Sequence, residues 1–256
     1  MPPATDAGLA RWLAGRAGDL LLRLRAELGH DDPAELREAG DKLSHHLITA
    51  ELSRWRPADA VLSEEGTDNP ARLSSERVWI VDPLDGTREF GEPGRVDWAV
   101  HVALWASGRL AAGAIALPAQ YQVYGTDAPP PYPPITDRPM TLAASRSRPP
   151  AFLTGLAGAL GAELMPMGSA GAKIAAVIDG TVDGYVHAGG QYEWDSAAPV
   201  AVALATGLHA SRIDGSALEY NRADPRLPDL LVCRKDLAPR LLAALAGVRD
   251  EGSDNR

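Results

Sequence analysis

The sequence predicts a mixed chain, α+β in its first half and α/β in its second. Three observations carry that expectation: leucines at helical spacing near the start, a block of short β-rich runs ending at Gly125, and strand–helix alternation from Thr141 onward. Leu9, Leu13, Leu20, Leu24 and Leu28 make one apolar stripe, which predicts a first helix stopped by Gly29. A second helix is expected to follow Asp41, with Leu43, Leu47 and Ile48 turned inward. Strands are expected at Ala60–Ser63, Arg77–Asp82, Trp98–Trp105, Ala111–Leu117 and Tyr121–Gly125. Ser107-Gly108 supplies a turn between antiparallel neighbours. This half reads as helices packed on a mostly antiparallel sheet.

Asp127–Pro139 holds six prolines and no periodicity. It is expected to be a loop or link between an N-terminal part (1–126) and a C-terminal part (140–256). In the second part, strands are expected at Thr141–Ser145, Val182–His187 and Leu230–Cys233. Helices are expected at Ala151–Leu160, Ala170–Ile178, Ser196–Ala205 and Leu237–Ala246, followed by a polar, fraying tail at Asp250–Arg256.

Composition narrows the function classes. At 256 residues, 45% hydrophobic and 23% charged, the chain is of globular type, not disordered, collagen-like or coiled-coil. No 18-residue apolar run is present, so no membrane span is expected. Met1–Ala10 lacks a basic stretch followed by an apolar one, so no signal peptide is expected. The single cysteine, Cys233, has no partner for an internal disulfide, which agrees with a cytoplasmic location. A net charge of −9 opposes binding to a long nucleic acid. A small anion would need a cation to bridge it to the acidic groups.

The most informative stretch is Val78-Trp79-Ile80-Val81-Asp82-Pro83-Leu84-Asp85-Gly86-Thr87. A buried β-run ends in two carboxylates three positions apart, and Pro83 is expected to take the chain out of the sheet. Gly86 and Thr87 then offer backbone N–H groups beside those carboxylates. Carboxylates suit hard divalent cations and free N–H groups suit phosphate oxygens, so both together suit a site where metal ions bridge protein and phosphate. An isolated Asp-x-x-Asp is more often a strand end followed by a helix cap. Glu64-Glu65 also follows a strand, and Asp195 opens an alanine-rich helix; taken singly, each is an ordinary loop pair or N-cap.

Together these residues resemble the inositol monophosphatase superfamily. Trp79–Thr87 is similar to its first signature and Trp194-Asp195-Ser196-Ala197-Ala198 to its second. Ser63-Glu64-Glu65 and Ala39-Gly40-Asp41 fall where the family keeps its other acidic residues. Arg88-Glu89-Phe90, Gly168–Lys173 and Asp214–Asn221 resemble the branch of CysQ-like 3′(2′),5′-bisphosphate nucleotidases. Inositol phosphatases carry a glutamate seven residues before the second-signature aspartate, where this chain has Ala188.

The resemblance implies the sugar-phosphatase fold, with alternating helix and sheet layers (αβαβα). It implies Mg²⁺-dependent hydrolysis of a phosphate monoester, with two or three ions and lithium sensitivity. The implied substrate is 3′-phosphoadenosine 5′-phosphate or its sulfated form, in sulfate assimilation and nucleotide recycling. Glu64, Asp82 and the Leu84 carbonyl would hold one ion, and Asp82, Asp85 and Asp195 a second. Thr87, backed by Asp41, would activate the attacking water. Gly86, Thr87, Arg88, Ser169, Lys173 and Asp195 would touch substrate. A homodimer is left open. The alternatives are an inositol-1-phosphatase or fructose-1,6-bisphosphatase of the same superfamily, or a non-catalytic nucleotide-sensing module. Blander readings suffice for His45-His46, for His101 as an exposed or hydrogen-bonded strand residue, for Cys233 as core, and for Ser169 as no nucleophile.

Overall fold

The computed structural model describes residues 2–147 and 149–253, with side chains described up to residue 247. Two helices open the chain, α1 (Asp6–Leu28) and α2 (Pro33–Trp55). α1 starts at Thr5, whose hydroxyl accepts from the Gly8 N–H, and stops at Gly29 with φ +67°. Its buried face is Leu9, Ala10, Leu13, Ala14, Ala17 and Leu21. That corrects the expected stripe: Leu20 and Leu24 are half-buried and Leu28 is exposed.

α2 begins eight residues before Asp41, not after it. Asp32 caps it by accepting from Ala34 and Glu35 N–H, and Pro33 occupies the first turn, where a missing N–H costs nothing. Asp41 therefore sits mid-helix. Ile48 faces inward as expected, Leu47 is half-buried, and Leu43 is exposed.

The first sheet has the order β1-β2-β3-β4-β5, from β1 (Ala60–Ser63), β2 (Arg77–Asp85), β3 (Ala99–Ala106), β4 (Arg109–Leu117) and β5 (Gln122–Gly125). Only β1–β2 is parallel. Ser107 (φ +51°) and Gly108 (φ +81°) form the expected β3–β4 turn. Pro83 does not end β2. Pairing with β3 skips from Asp82 to Asp85, so Pro83 and Leu84 bulge out and the strand rejoins at Asp85 opposite Ala99. On its other side β2 pairs with β1 only as far as Val81, so the proline withdraws no N–H from that ladder. A single helical turn, α3 (Thr87–Gly91), follows.

The second sheet has the order β7-β6-β8-β10-β9: β6 (Thr141–Ser145), β7 (Glu163–Met167), β8 (Gly184–Tyr192), β9 (His209–Ser211) and β10 (Arg226–Cys233). β7 and β9 are additions to the expected strands, and both lie at sheet edges. The helices are α4 (Leu153–Leu160), α5 (Ala170–Ile178), α6 (Glu193–Thr206) and α7 (Ala238–Ser253). Of the tail expected to fray, residues 250–253 belong to α7 and 254–256 lie outside the described residues.

Three apolar layers hold these elements together. Trp79, Val81, Val100 and Val102 pack against α1 and α2 on one face of the first sheet. Val78, Ile80, Ala99 and Ala103, on the opposite face, pack against α5 and α6, which also cover the inner face of the second sheet. Leu142, Val186 and Leu231 on its outer face meet α4 and α7. The order is thus helix, sheet, helix, sheet, helix. Since both faces of the first sheet are buried, its strands are apolar without alternation, and a polar residue on either face needs a partner.

Candidate active site

The strand period of two puts Asp82 on the face of Val78 and Ile80, looking toward α5 and α6. The Asp82–Asp85 bulge turns Asp85 to the same side, and Asp195 comes down from the first turn of α6. Carboxylate oxygens of Asp82, Asp85 and Asp195 all lie within 4.8 Å of one another. Glu64, one residue past β1, hydrogen-bonds Asp82. Leu84 N–H donates to Asp82 Oδ1 at 3.1 Å, which leaves the Leu84 carbonyl facing Thr87.

Burial and mutual repulsion push these carboxyls upward. Glu64 is held at about 7 by desolvation, and Asp195 at about 8 by desolvation and then the Asp85 charge. Asp82 is raised well above its ordinary range by burial, with Glu64, Asp85 and Asp195 adding to it. Asp82 and Asp85 are buried, Asp195 is half-buried and Glu64 is exposed; so many carboxylates gathered at one point are what a hard cation with oxygen ligands would offset.

Asp85 has a second engagement. Its Oδ2 accepts from Ser169 Oγ (2.7 Å) and Gly171 N–H (2.6 Å), and its Oδ1 from Ala170 N–H (3.2 Å). Ser169 also accepts from Ala172 N–H at 2.8 Å and so caps α5. The first signature is thereby tied directly to the start of α5, in the other half of the chain. Ser169 is a latch, its hydroxyl already used twice.

Thr87 Oγ1 lies 3.3 Å from Asp41 Oδ1 and 3.0 Å from the Leu84 carbonyl oxygen. α2 crosses the end of β2 closely because Gly40 has no side chain: a Cβ there would meet the Phe90 ring at 2.8 Å and Leu84 at 2.9 Å. Asp41, next in sequence, is pushed up to about 7 by burial first, then by the charges of Glu65 and Glu64.

A cavity of about 420 Å³ opens beside Asp85, Gly86 and Thr87, and Arg37, Arg88 and Lys173 also line it. Arg88 is exposed at its mouth. Lys173, which could have been a surface residue, is buried; its ammonium donates to the Gly168 carbonyl at 2.8 Å and sits 5.2 Å above the Tyr185 ring. The fold therefore brings Asp41, Glu64, Asp82, Leu84, Asp85, Gly86, Thr87, Arg88, Ser169, Lys173 and Asp195 around one region. A larger cavity, about 630 Å³, is lined by Arg212, Arg222 and Arg226 and shares no residue with this set. Its arginines pair with Asp229, Glu219 and Asp224.

Supporting residues went unread in the sequence. Asp97 Oδ2 accepts from Gly168 N–H at 2.5 Å, and Arg146 donates to Glu89 at 2.7 Å. Glu193 accepts from Asn221 and Arg222 N–H (2.6 and 2.8 Å), which fixes the end of the Asp214–Asn221 segment where Asn221 adopts φ +60°. Glu89 and Asn221 lie in segments that resemble the nucleotidase branch, and Glu193 stands just before the second signature; Asp97 and Arg146 carried no signal. His101 is not exposed: it is fully buried and its Nδ1 lies 3.1 Å from the Trp194 carbonyl. Cys233 is core, as expected, with burial pushing its thiol up to about 12. His45 and His46 point apart, to Ser63 Oγ and to the Lys42 carbonyl.

The layered fold and this acidic cleft define a class. Residues 8–128 and 137–249 match the inositol monophosphatase family, and the chain belongs to it. Among curated relatives, it is 56% identical over 241 residues to the 3′-phosphoadenosine 5′-phosphate phosphatase of Mycobacterium bovis, covering 90% of this chain and 89% of that one. It is 51% identical over 262 residues to the phosphatase of the same name from Mycobacterium leprae, covering 95% and 94%. The 3′(2′),5′-bisphosphate nucleotidase CysQ of Escherichia coli is 31% identical over 204 residues, covering 71% and 78%. Among solved structures, CysQ from Bacteroides thetaiotaomicron superposes with a TM-score of 0.76 at 27% identity, covering 88% and 96%. Mycobacterium tuberculosis SuhB, at 23% identity, shares the fold with a TM-score of 0.74 over 96% and 98%.

Proposed function

We propose that this chain is a Mg²⁺-dependent phosphomonoesterase that removes the 3′-phosphate of 3′-phosphoadenosine 5′-phosphate or its sulfated form. In that reading it works in the cytoplasm, in nucleotide recycling linked to sulfate assimilation. The observation that carries it is identity of 51–56%, over nearly the whole chain, to relatives named for that substrate.

The donor set fits magnesium: all the groups are oxygens, with Asp82, Asp85 and Asp195 clustered and no thiolate or imidazole among them. Glu64, Asp82 and the Leu84 carbonyl would hold one ion, and Asp82, Asp85 and Asp195 another. Such ions, when bound, supply charge stabilisation to the phosphate oxygens and the departing oxygen. Thr87 handles the proton. Its one hydrogen has acceptors in Asp41 and Leu84, so its lone pairs are left to accept from the attacking water. Asp41, hydrogen-bonded to that hydroxyl, takes up the proton. Gly86 and Thr87 present backbone N–H groups to the phosphate, and Arg88 a guanidinium at the cavity mouth. Lys173 and Ser169 act indirectly, by holding the Gly168 loop and Asp85.

Ala188 supports a nucleotide over an inositol phosphate. It lies on β8 opposite Asp229, at the position where the resemblance places the inositol phosphatases' glutamate, and its side chain offers no acceptor to a sugar hydroxyl. Product analysis tests the reading. With Mg²⁺ and 3′-phosphoadenosine 5′-phosphate, the expected products are inorganic phosphate and adenosine 5′-phosphate. Release of adenosine 3′-phosphate, or no phosphate at all, overturns it.

A further inference from the structure

We propose that His101 is a positioning residue that sets the spacing between Asp85 and Asp195 by bridging β3 to the first turn of α6. The inference rests on the reading of the acidic cluster as a cation site. His101 is paired in register with Asp82 across β2 and β3, so its backbone is fixed relative to the cluster. It lies on the face of Ala99 and Ala103, whose small side chains leave room for the ring between the first sheet and the central helices.

The imidazole touches three elements. The Trp194 carbonyl, 3.1 Å from Nδ1, can only accept, so Nδ1 donates. Asp195 follows Trp194 directly, and its Oδ2 is held by Tyr192 N–H at 2.6 Å. Moving the Trp194 carbonyl therefore moves Asp195. On its far side, Nε2 lies 3.3 Å from Asp85 Oδ2 and has no hydrogen-bond partner among the described residues.

The third contact is Gly171, which donates its N–H to the same Asp85 oxygen at 2.6 Å. A Cβ on Gly171 would stand 2.0 Å from Nε2, so only glycine admits the ring here. One side chain thus spans the gap between Asp85, latched to α5, and Asp195, carried on α6. Residues that orient metal ligands in this manner are worth about 10–100-fold in metal affinity.

His101→Asn and His101→Leu separate positioning from packing. Asparagine places an amide nitrogen at the same bond distance from the backbone as Nδ1, so it keeps the donor and loses ring volume. Leucine fills the space and leaves the Trp194 carbonyl unpaired. The readouts are Mn²⁺ binding without substrate, followed by electron paramagnetic resonance, and melting temperature. Leucine is expected to weaken Mn²⁺ binding at least about tenfold and asparagine no more than about threefold, whatever the order of their melting temperatures. If the leucine variant does not fold, Gly171→Ala, which presses on Nε2 from the other side, is expected to show the same weakening. Unchanged Mn²⁺ affinity in the leucine variant (or in Gly171→Ala where that replaces it) overturns the proposal, as does asparagine weakening binding as much as leucine. Wild-type protein that binds no Mn²⁺ overturns the cation-site reading itself.

Discussion

Asp195 and Asp85 are both cluster carboxylates, yet their surroundings separate what substitution does to them. Asp195 is held near 8 by burial and by the Asp85 charge, so without a cation it is a strained acid. Asp195→Asn keeps an oxygen for Tyr192 N–H and removes that repulsion. Phosphatase activity is expected to fall by several orders of magnitude, while the metal-free melting temperature at pH 8 rises. Asp85→Asn is expected to lose both, because an amide NH₂ would face the donors Ser169, Ala170 and Gly171. A metal-free Asp85→Asn protein as stable as wild type would show that this latch carries no weight. At Thr87, valine keeps the shape and removes the hydroxyl, and a loss of about 10²–10⁴-fold in kcat is expected with serine largely active. Equal kcat for valine and serine in phosphate-release assays would remove Thr87 from proton transfer. The Asp82–Thr87 run was legible in the sequence because a strand, two acids and a glycine turn fall within ten residues. The Thr87–Asp41 contact was not legible from spacing. It depends on how α2 crosses β2, and only the family resemblance pointed to it. His101 was obscured by its neighbours: Val100 and Val102 look like the apolar half of an alternating strand, yet both faces of that strand are buried.

Most elements were readable to within a few residues, and the exceptions have local causes. α2 was expected too late because its start was placed by Leu43, Leu47 and Ile48, whereas Asp32-Pro33 is the start signal. β2 was cut short at Pro83 because a bulge is invisible to a pattern of alternation. β7 carries Pro166, and none of its five residues is fully buried, which suits an edge and hides a strand. One inter-element tie makes its own prediction. Arg72, buried in the 3₁₀ turn at Pro70–Ser74, donates to Asp68, to Asn221 Oδ1 (2.7 Å) and to the Arg222 carbonyl (2.8 Å). Arg72→Met is expected to cost about 1–3 kcal/mol, since the buried Asn221 Oδ1 loses its donor and the Arg222 carbonyl loses another. Urea unfolding measures it, and a midpoint equal to wild type would mean that water replaces the guanidinium without loss.

Across the whole molecule, two sheets share one central layer of helices, and the acidic cluster lies where β2, α5 and α6 meet. That placement gives the metal-free protein an unusual pH dependence. Asp41, Glu64 and Asp195 have ordinary values near 4 in an unfolded chain and about 7 to 8 when folded. Between those limits the folded state binds more protons than the unfolded, so this contribution to stability is present at low pH and is lost as pH rises through 7 to 8. In chelator, melting temperature is expected to rise from pH 8 to pH 6, and Mg²⁺ to raise it more at pH 8 than at pH 6. A Mg²⁺ effect equal at both pH values would contradict a carboxylate cation site. The layered architecture followed from composition, periodicity and resemblance; substrate choice rests on fewer residues. It is tested most directly by kcat/KM measured side by side, at equal Mg²⁺, for 3′-phosphoadenosine 5′-phosphate and inositol 1-phosphate. The account predicts the higher value for the nucleotide. A value for inositol 1-phosphate equal to or above it would contradict the account.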